Sequence, residues 1–296
     1  MRESVLAYRG ARYLWWAVAL SAGSIALYCT QGGLQRPNGG SWQGYVLGTV
    51  GAALIVWLTL LGVRKRSYRS TLGAVRGWTS AHVYLGMALL VVATLHCAGH
   101  FGWNVHTLAY VLMSAVVLSG VAGLYVYFRN PTLIADIRTG GSRAALFAEL
   151  FELDNQAREL AKHCDAVTGS LVKSSIERTT IGGSVLEQLF AADRSRILRI
   201  DPNAPNAAAV LVRNTDQQAA INYVSDRLTQ AEKRAEPSVL QSLVTVLCRR
   251  QVILRSIRRD ISLSAWLKIW LDVHVPLTFA LLSALTIHIL VTFIYW

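Results

Sequence analysis

The sequence predicts an all-α membrane protein: five transmembrane helices in a bundle, with a mostly helical, partly β insertion between the fourth and fifth. Three observations carry this. Only 16% of the 296 residues are charged while 53% are hydrophobic. The apolar residues come in blocks of about 20, the length a helix needs to cross a bilayer. One polar stretch, 129–264, interrupts them. This balance excludes a soluble enzyme, and nine Trp with eleven Tyr exclude a low-complexity chain. Cys29, Cys97, Cys164 and Cys248 lie far apart without a CxxC pair, so neither a disulfide framework nor a zinc ribbon is expected.

The expected spans run from Tyr13 to Thr30, Gln43 to Val63, Thr79 to Gly99, His106 to Phe128 and Leu271 to Ile294. The first follows a basic start but has no small-x-small cleavage site, and bulky Tyr28 precedes Cys29. It reads as a retained anchor rather than a signal or lipoprotein leader. Orientation follows the short basic flanks. Arg2, Arg9 and Arg12 precede the first span, and Arg64, Lys65, Arg66, Arg69 and Arg76 lie between the second and third. The opposite links hold only Arg36. The expectation is a multi-pass protein of a bacterial-type inner membrane, N-terminus and insertion cytoplasmic, C-terminus periplasmic. The third and fifth spans then both run outward.

The expected domains are 1–128, with four spans; 129–264, the cytoplasmic insertion; and 265–296, the span that completes the bundle. In the insertion, Ser142 opens a helical pattern with Leu146, Leu150, Leu153 and Leu160 on one side. Leu171 to Ile181, rich in β-branched residues and ending at Gly182-Gly183, predicts a strand or hairpin. Asp216 is expected to cap a helix to about Arg234, and Pro237 to open another reaching Arg259. The charge runs around Arg249 and Arg258 are expected to meet anionic headgroups rather than nucleic acid. His163 and Cys164 point to different faces and are not expected to bind metal. There is no GxGxxG, P-loop or nucleophile elbow.

Histidine is scarce, seven residues, yet four fall in two spans: His82 and His96 in the third, His274 and His288 in the fifth. The spacings are equal, 96 − 82 = 14 and 288 − 274 = 14. Fourteen positions turn a helix about 1400°, roughly 40° short of four turns, and rise about 21 Å. Each helix thus presents two imidazoles on one face, near opposite sides of the hydrocarbon. Trp78 and Trp270 stand four residues before His82 and His274, while Trp103 and Trp296 follow His96 and His288. Aromatic residues favour the membrane interface, so the two helices are in register. His82 should face His274 on the cytoplasmic side, and His96 should face His288 on the periplasmic side. Facing imidazoles can ligate one iron axially, and two levels would hold two haems b. Four haem-iron ligands are therefore expected: His82 and His274, His96 and His288.

Macrocycles need room beside helices, which Gly44, Gly48 and Gly51, Gly86 with Ala93, and Gly120 with Gly123 offer; the alternative for Gly44 and Gly48 is plain helix packing. Arg64, Lys65, Arg66, Arg69 and Arg76 would suit propionates of the inner haem, and also serve as a topology signal. His100 and His106 are read as interfacial polar residues, with ligation or a quinone contact as alternatives. Cys97 and His100 form C-x-x-H, so no covalently attached haem is expected.

The paired H-x13-H motifs, His82/His96 and His274/His288, resemble those of bis-haem membrane cytochromes b, most like the ferric reductase-like transmembrane group. The resemblance covers roughly the second to fifth spans. It implies haem ligation by these four residues. The chain differs in having no sixth span after Trp296, about 130 insertion residues, and no flavin or nicotinamide domain. The expected function is therefore a di-haem b subunit that passes electrons across the membrane between partner subunits (iron–sulfur, flavin or cytochrome c proteins) or quinone. A self-sufficient quinol, superoxide-type or ferric reductase-like oxidoreductase is the alternative, and a haem-free scaffold or transporter the second.

Overall fold

The computed structural model describes residues 5–31, 39–67, 73–129, 142–200, 209–232 and 238–294. The chain forms two compact units, Met1–Tyr125 with Trp270–Trp296, and Val126–Ile269.

The first unit contains α1 (Tyr8–Cys29), α2 (Trp42–Arg66), α3 (Val75–Cys97), α4 (Val105–Arg129) and the end of the long helix α9 (Ser238–Ile294). Four helices, α2, α3, α4 and α9, are long and apolar enough to cross a membrane, with mean hydropathy between 1.6 and 2.2. The protein is thus a helical membrane protein by length and composition. α1, expected as a fifth span, is not among the four: Arg12, Tyr13, Trp15 and Trp16 make it less apolar. Its regular part also starts late, because Arg9, Gly10 and Ala11 have left-handed backbone angles. Ser41 caps α2 by accepting from the Gly44 N–H at 3.0 Å. α2 and α1 both pack on α3. Ile55, Leu58, Leu89, Met113 and Leu281, from four helices, form the apolar core of this unit.

The second unit is a small helical domain: α5 (Ser142–Lys162), α6 (Ala166–Glu177), α7 (Val185–Leu189), strands β1 (Arg196–Ile200) and β2 (Ala209–Arg213), a 3-10 turn (Thr215–Gln217), α8 (Gln218–Glu232) and the start of α9. β1 and β2 pair antiparallel. The strand expected over Leu171 to Ile181 is instead helix α6. Asp165 caps it through Thr168, and Leu171, Val172, Ser175 and Ile176 recur at helical spacing toward the core, which outweighs β-branched propensity. The strands lie further on. Asp216 does not cap α8; it has positive φ and its N–H donates to Asp193 at 2.6 Å. Pro237 lies outside the described residues, and the helix beginning at Ser238 does not stop near Arg259 but continues to Ile294.

Ala157, Val172, Val224, Leu243 and Leu247 build the core of this unit. Beside it lies a buried polar network. Arg250, 1% exposed, donates to Asp154 at 2.6 Å, Gln217 at 2.6 Å and Thr179 at 3.0 Å. Arg258 pairs with Asp193 at 2.9 Å, Arg249 with Glu149 at 2.7 Å, and Arg255 with Asp216. Arg250 and Arg258 are buried in these pairs, whereas the side chains of Arg249 and Arg255 stay exposed. The carboxylates that neutralise them come from distant segments, and a buried charge needs such partners.

Candidate functional site: two levels of paired histidines

Within the first unit, α3 and the final turns of α9 bring their histidines to two levels. At one level the His96 and His288 rings lie 6.1 Å apart between centroids, with planes at 81°. Two imidazoles on opposite axial positions of one iron, with metal–nitrogen bonds of about 2 Å, hold their ring centres about 6 Å apart. At the other level His82, His274 and Lys65 lie within electrostatic range of one another.

Each ring is held by its Nδ1 atom. His82 Nδ1 lies 3.0 Å from the Leu58 carbonyl and His96 Nδ1 2.8 Å from the Gly44 carbonyl, so each donates its N–H to α2. The two acceptors are themselves 58 − 44 = 14 residues apart. The antiparallel helix α2 thus reproduces the histidine spacing with its own backbone. His274 Nδ1 meets Ser119 Oγ at 2.7 Å, and His288 Nδ1 meets His106 Nδ1. With Nδ1 donating in His82, His96 and His274, Nε2 of these rings carries the lone pair available to a metal, and His288 does the same when its Nδ1 donates to His106. On α9 both histidines are followed four residues later by a threonine. Thr278 Oγ1 donates to the His274 carbonyl at 2.8 Å and Thr292 Oγ1 to the His288 carbonyl at 2.9 Å.

The glycines divide by role. A Cβ at Gly48 would come within 2.8 Å of the His96 ring, so this glycine seats the imidazole. Gly51 faces Val92 and Leu89, a helix-packing contact. A Cβ at Gly120 would stand 3.8 Å from His274 Cε1. At Gly123 it would strike the Trp270 indole at 2.2 Å, while Trp270 donates Nε1–H to the Ser119 carbonyl at 2.8 Å and packs 5.3 Å from the His274 ring. Gly86, one turn beyond His82, is buried, yet a Cβ there would meet no atom within 4 Å. This open cradle and the four Nε2 atoms suit a planar group ligated from both sides, so the residues present fit a haem at each level.

Other expected participants are placed differently. α3 ends at Cys97, with Ala98 and Gly99 left-handed, so His100 lies beyond the helix and is exposed. His106 does not stand apart at the interface. Its ring packs 4.5 Å from that of His288 at 86°. Arg64 donates to the carbonyls of Ser67 at 3.1 Å and Gly73 at 2.7 Å, which ties the α2–α3 link rather than leaving its guanidinium for a propionate. Arg66 and Arg76 are exposed, and Arg69 and Trp296 lie outside the described residues. Sequence reasoning missed Ser119, the contacts of Trp270 with Ser119 and His274, and the carbonyls of Leu58 and Gly44. The signals available were the matching 14-residue step on α2 and the repeated H-x-x-x-T of α9.

Among the described residues no three His, Cys, Asp or Glu side chains gather as a metal site. A bis-imidazole iron needs only two protein donors. No family model, curated protein or solved structure matches the chain.

Proposed function

We propose that this membrane protein is a di-haem b electron-transfer subunit, holding one haem between His82 and His274 and another between His96 and His288. The observation that carries the reading is the 6.1 Å separation of the His96 and His288 rings. That spacing suits an iron between them, whereas two imidazoles in direct contact sit closer, as His106 and His288 do at 4.5 Å. Imidazoles buried in hydrocarbon also need polar partners on both nitrogens, and here the protein supplies only the Nδ1 side among the contacts above.

When bound, each haem supplies a reversible one-electron couple. The chain's residues set its surroundings. The carbonyls of Leu58 and Gly44 fix the tautomer and raise the basicity of His82 and His96; Ser119 and His106 orient the α9 partners. The core of Leu58, Leu89, Met113 and Leu281 keeps water from the space between levels. Lys65, within electrostatic range of His82 and His274, supplies positive charge for a propionate. The 14-residue step separates the levels by about 21 Å along the helices. The reading includes an inner membrane location, a cytoplasmic polar unit, and electron exchange at each end with partner subunits or quinone.

The pyridine haemochrome of the purified protein tests this. Two haems b per chain are expected, with one remaining in His96→Ala and in His288→Ala. A colourless protein overturns the reading.

A further inference from the structure

The hairpin of the polar unit contains a pairing that folding alone disfavours. In the β1–β2 ladder Arg196 stands directly opposite Arg213, and like charges in that position destabilise a sheet. Both side chains are exposed. Among the described residues, Arg194 has Glu187 at 2.7 Å, but no carboxylate pairs with Arg196 or Arg213. The contrast is with four arginines of α9, Arg249, Arg250, Arg255 and Arg258, each of which has a carboxylate partner. Arg194, Arg196 and Arg213 line one cavity of about 460 Å³ with Leu211.

Three guanidiniums against the one carboxylate of Glu187 leave an excess of 3 − 1 = 2 positive charges. Planar guanidinium forks match the oxygens of a phosphoryl group two at a time, and a dianion cancels the excess where a single carboxylate would not. Leu211 gives the same wall an apolar surface beside the cations. We propose that this pocket binds a phosphoryl group carrying two or more negative charges, as pyrophosphate or the phosphomonoester of a soluble ligand or of a lipid headgroup. The repulsion between Arg196 and Arg213 is then relieved by the ligand. This assignment is independent of the haem reading.

The test uses the full-length protein and its Arg213→Gln variant. The substitution removes the like-charge pair, so the ligand-free variant should fold and melt at or above the temperature of the parent. In neutral detergent, pyrophosphate should raise the parent's melting temperature and bind by calorimetry, with affinity at least tenfold weaker in Arg213→Gln; this outcome identifies a soluble ligand. If pyrophosphate has no effect but nanodiscs containing phosphatidic acid raise the melting temperature of the parent and not of the variant, the source of the phosphoryl group is lipid. No response to either probe, or an equal response from Arg213→Gln, overturns the proposal.

Discussion

His96 is held on two sides, and each contact makes a separate demand on the sequence. Its Nδ1–H requires the Gly44 carbonyl at 2.8 Å, and its ring requires the absence of a side chain at Gly48. Gly48→Ala should therefore displace the imidazole, since its Cβ would lie 2.8 Å from Cε1. The expected outcome is loss of the His96/His288 haem with the His82/His274 haem retained, read by haemochrome ratio. Loss of both, or neither, would contradict the two-level assignment. Residue identity at Gly48 was legible as a stripe with Gly44 and Gly51, but the purpose of that stripe was not. Only the seating of α3 separates the glycine that admits an imidazole from the one that merely meets Val92 and Leu89.

At the level of elements, α6 shows how capping and burial override local propensity. Asp165 accepts from the Thr168 N–H at 3.3 Å and from its hydroxyl, and faces Arg227 at 3.8 Å. Burial pushes the Asp165 carboxyl up, but these hydrogen bonds and the guanidinium outweigh it and hold the group below its ordinary value. Its contribution to stability is thus full above an unfolded value of 3.8 and is lost as pH falls through the lower folded value. Asp165→Ala should cost about 1 kcal/mol in urea unfolding of the polar unit at neutral pH, with a smaller difference in acid. α9 makes the opposite point. Its two halves read separately as an amphipathic helix and a span, and nothing in the sequence forces a break between them. Pro276 lies inside the helix, where it lacks the N–H that would have met the Asp272 carbonyl and sets its ring against that carbonyl.

For the molecule as a whole, the buried network around Arg250 is where the polar unit is most exposed to mutation. Asp154→Ala leaves a guanidinium that is 1% exposed without its carboxylate. Breaking a buried pair from one side costs about 3–5 kcal/mol, so the polar unit should lose cooperative unfolding near ambient temperature. Asp154→Leu combined with Arg250→Met should recover much of the loss. Orientation is a second whole-molecule expectation. With the four native cysteines replaced by serine, an impermeant maleimide should label Glu177→Cys from the cytoplasmic side only. Labelling from the periplasmic side would reverse the topology drawn from Arg64, Lys65, Arg66 and Arg76.

The sequence alone determined the helical membrane character, because a continuous apolar run of about 20 residues satisfies its backbone bonds in hydrocarbon only as a helix. It also determined which four histidines share two faces, since 14 residues nearly complete four turns. Tertiary structure decided what those rings touch. The carbonyls of Leu58 and Gly44, the hydroxyl of Ser119 and the ring of His106 belong to helices far away in the chain, and no periodicity within α3 or α9 encodes them. It likewise turned Arg250 and Arg258, two members of a charge run, into internal ion pairs. Partner choice for a charge depends on which distant segment folds against it, and that is information carried by contacts rather than by spacing.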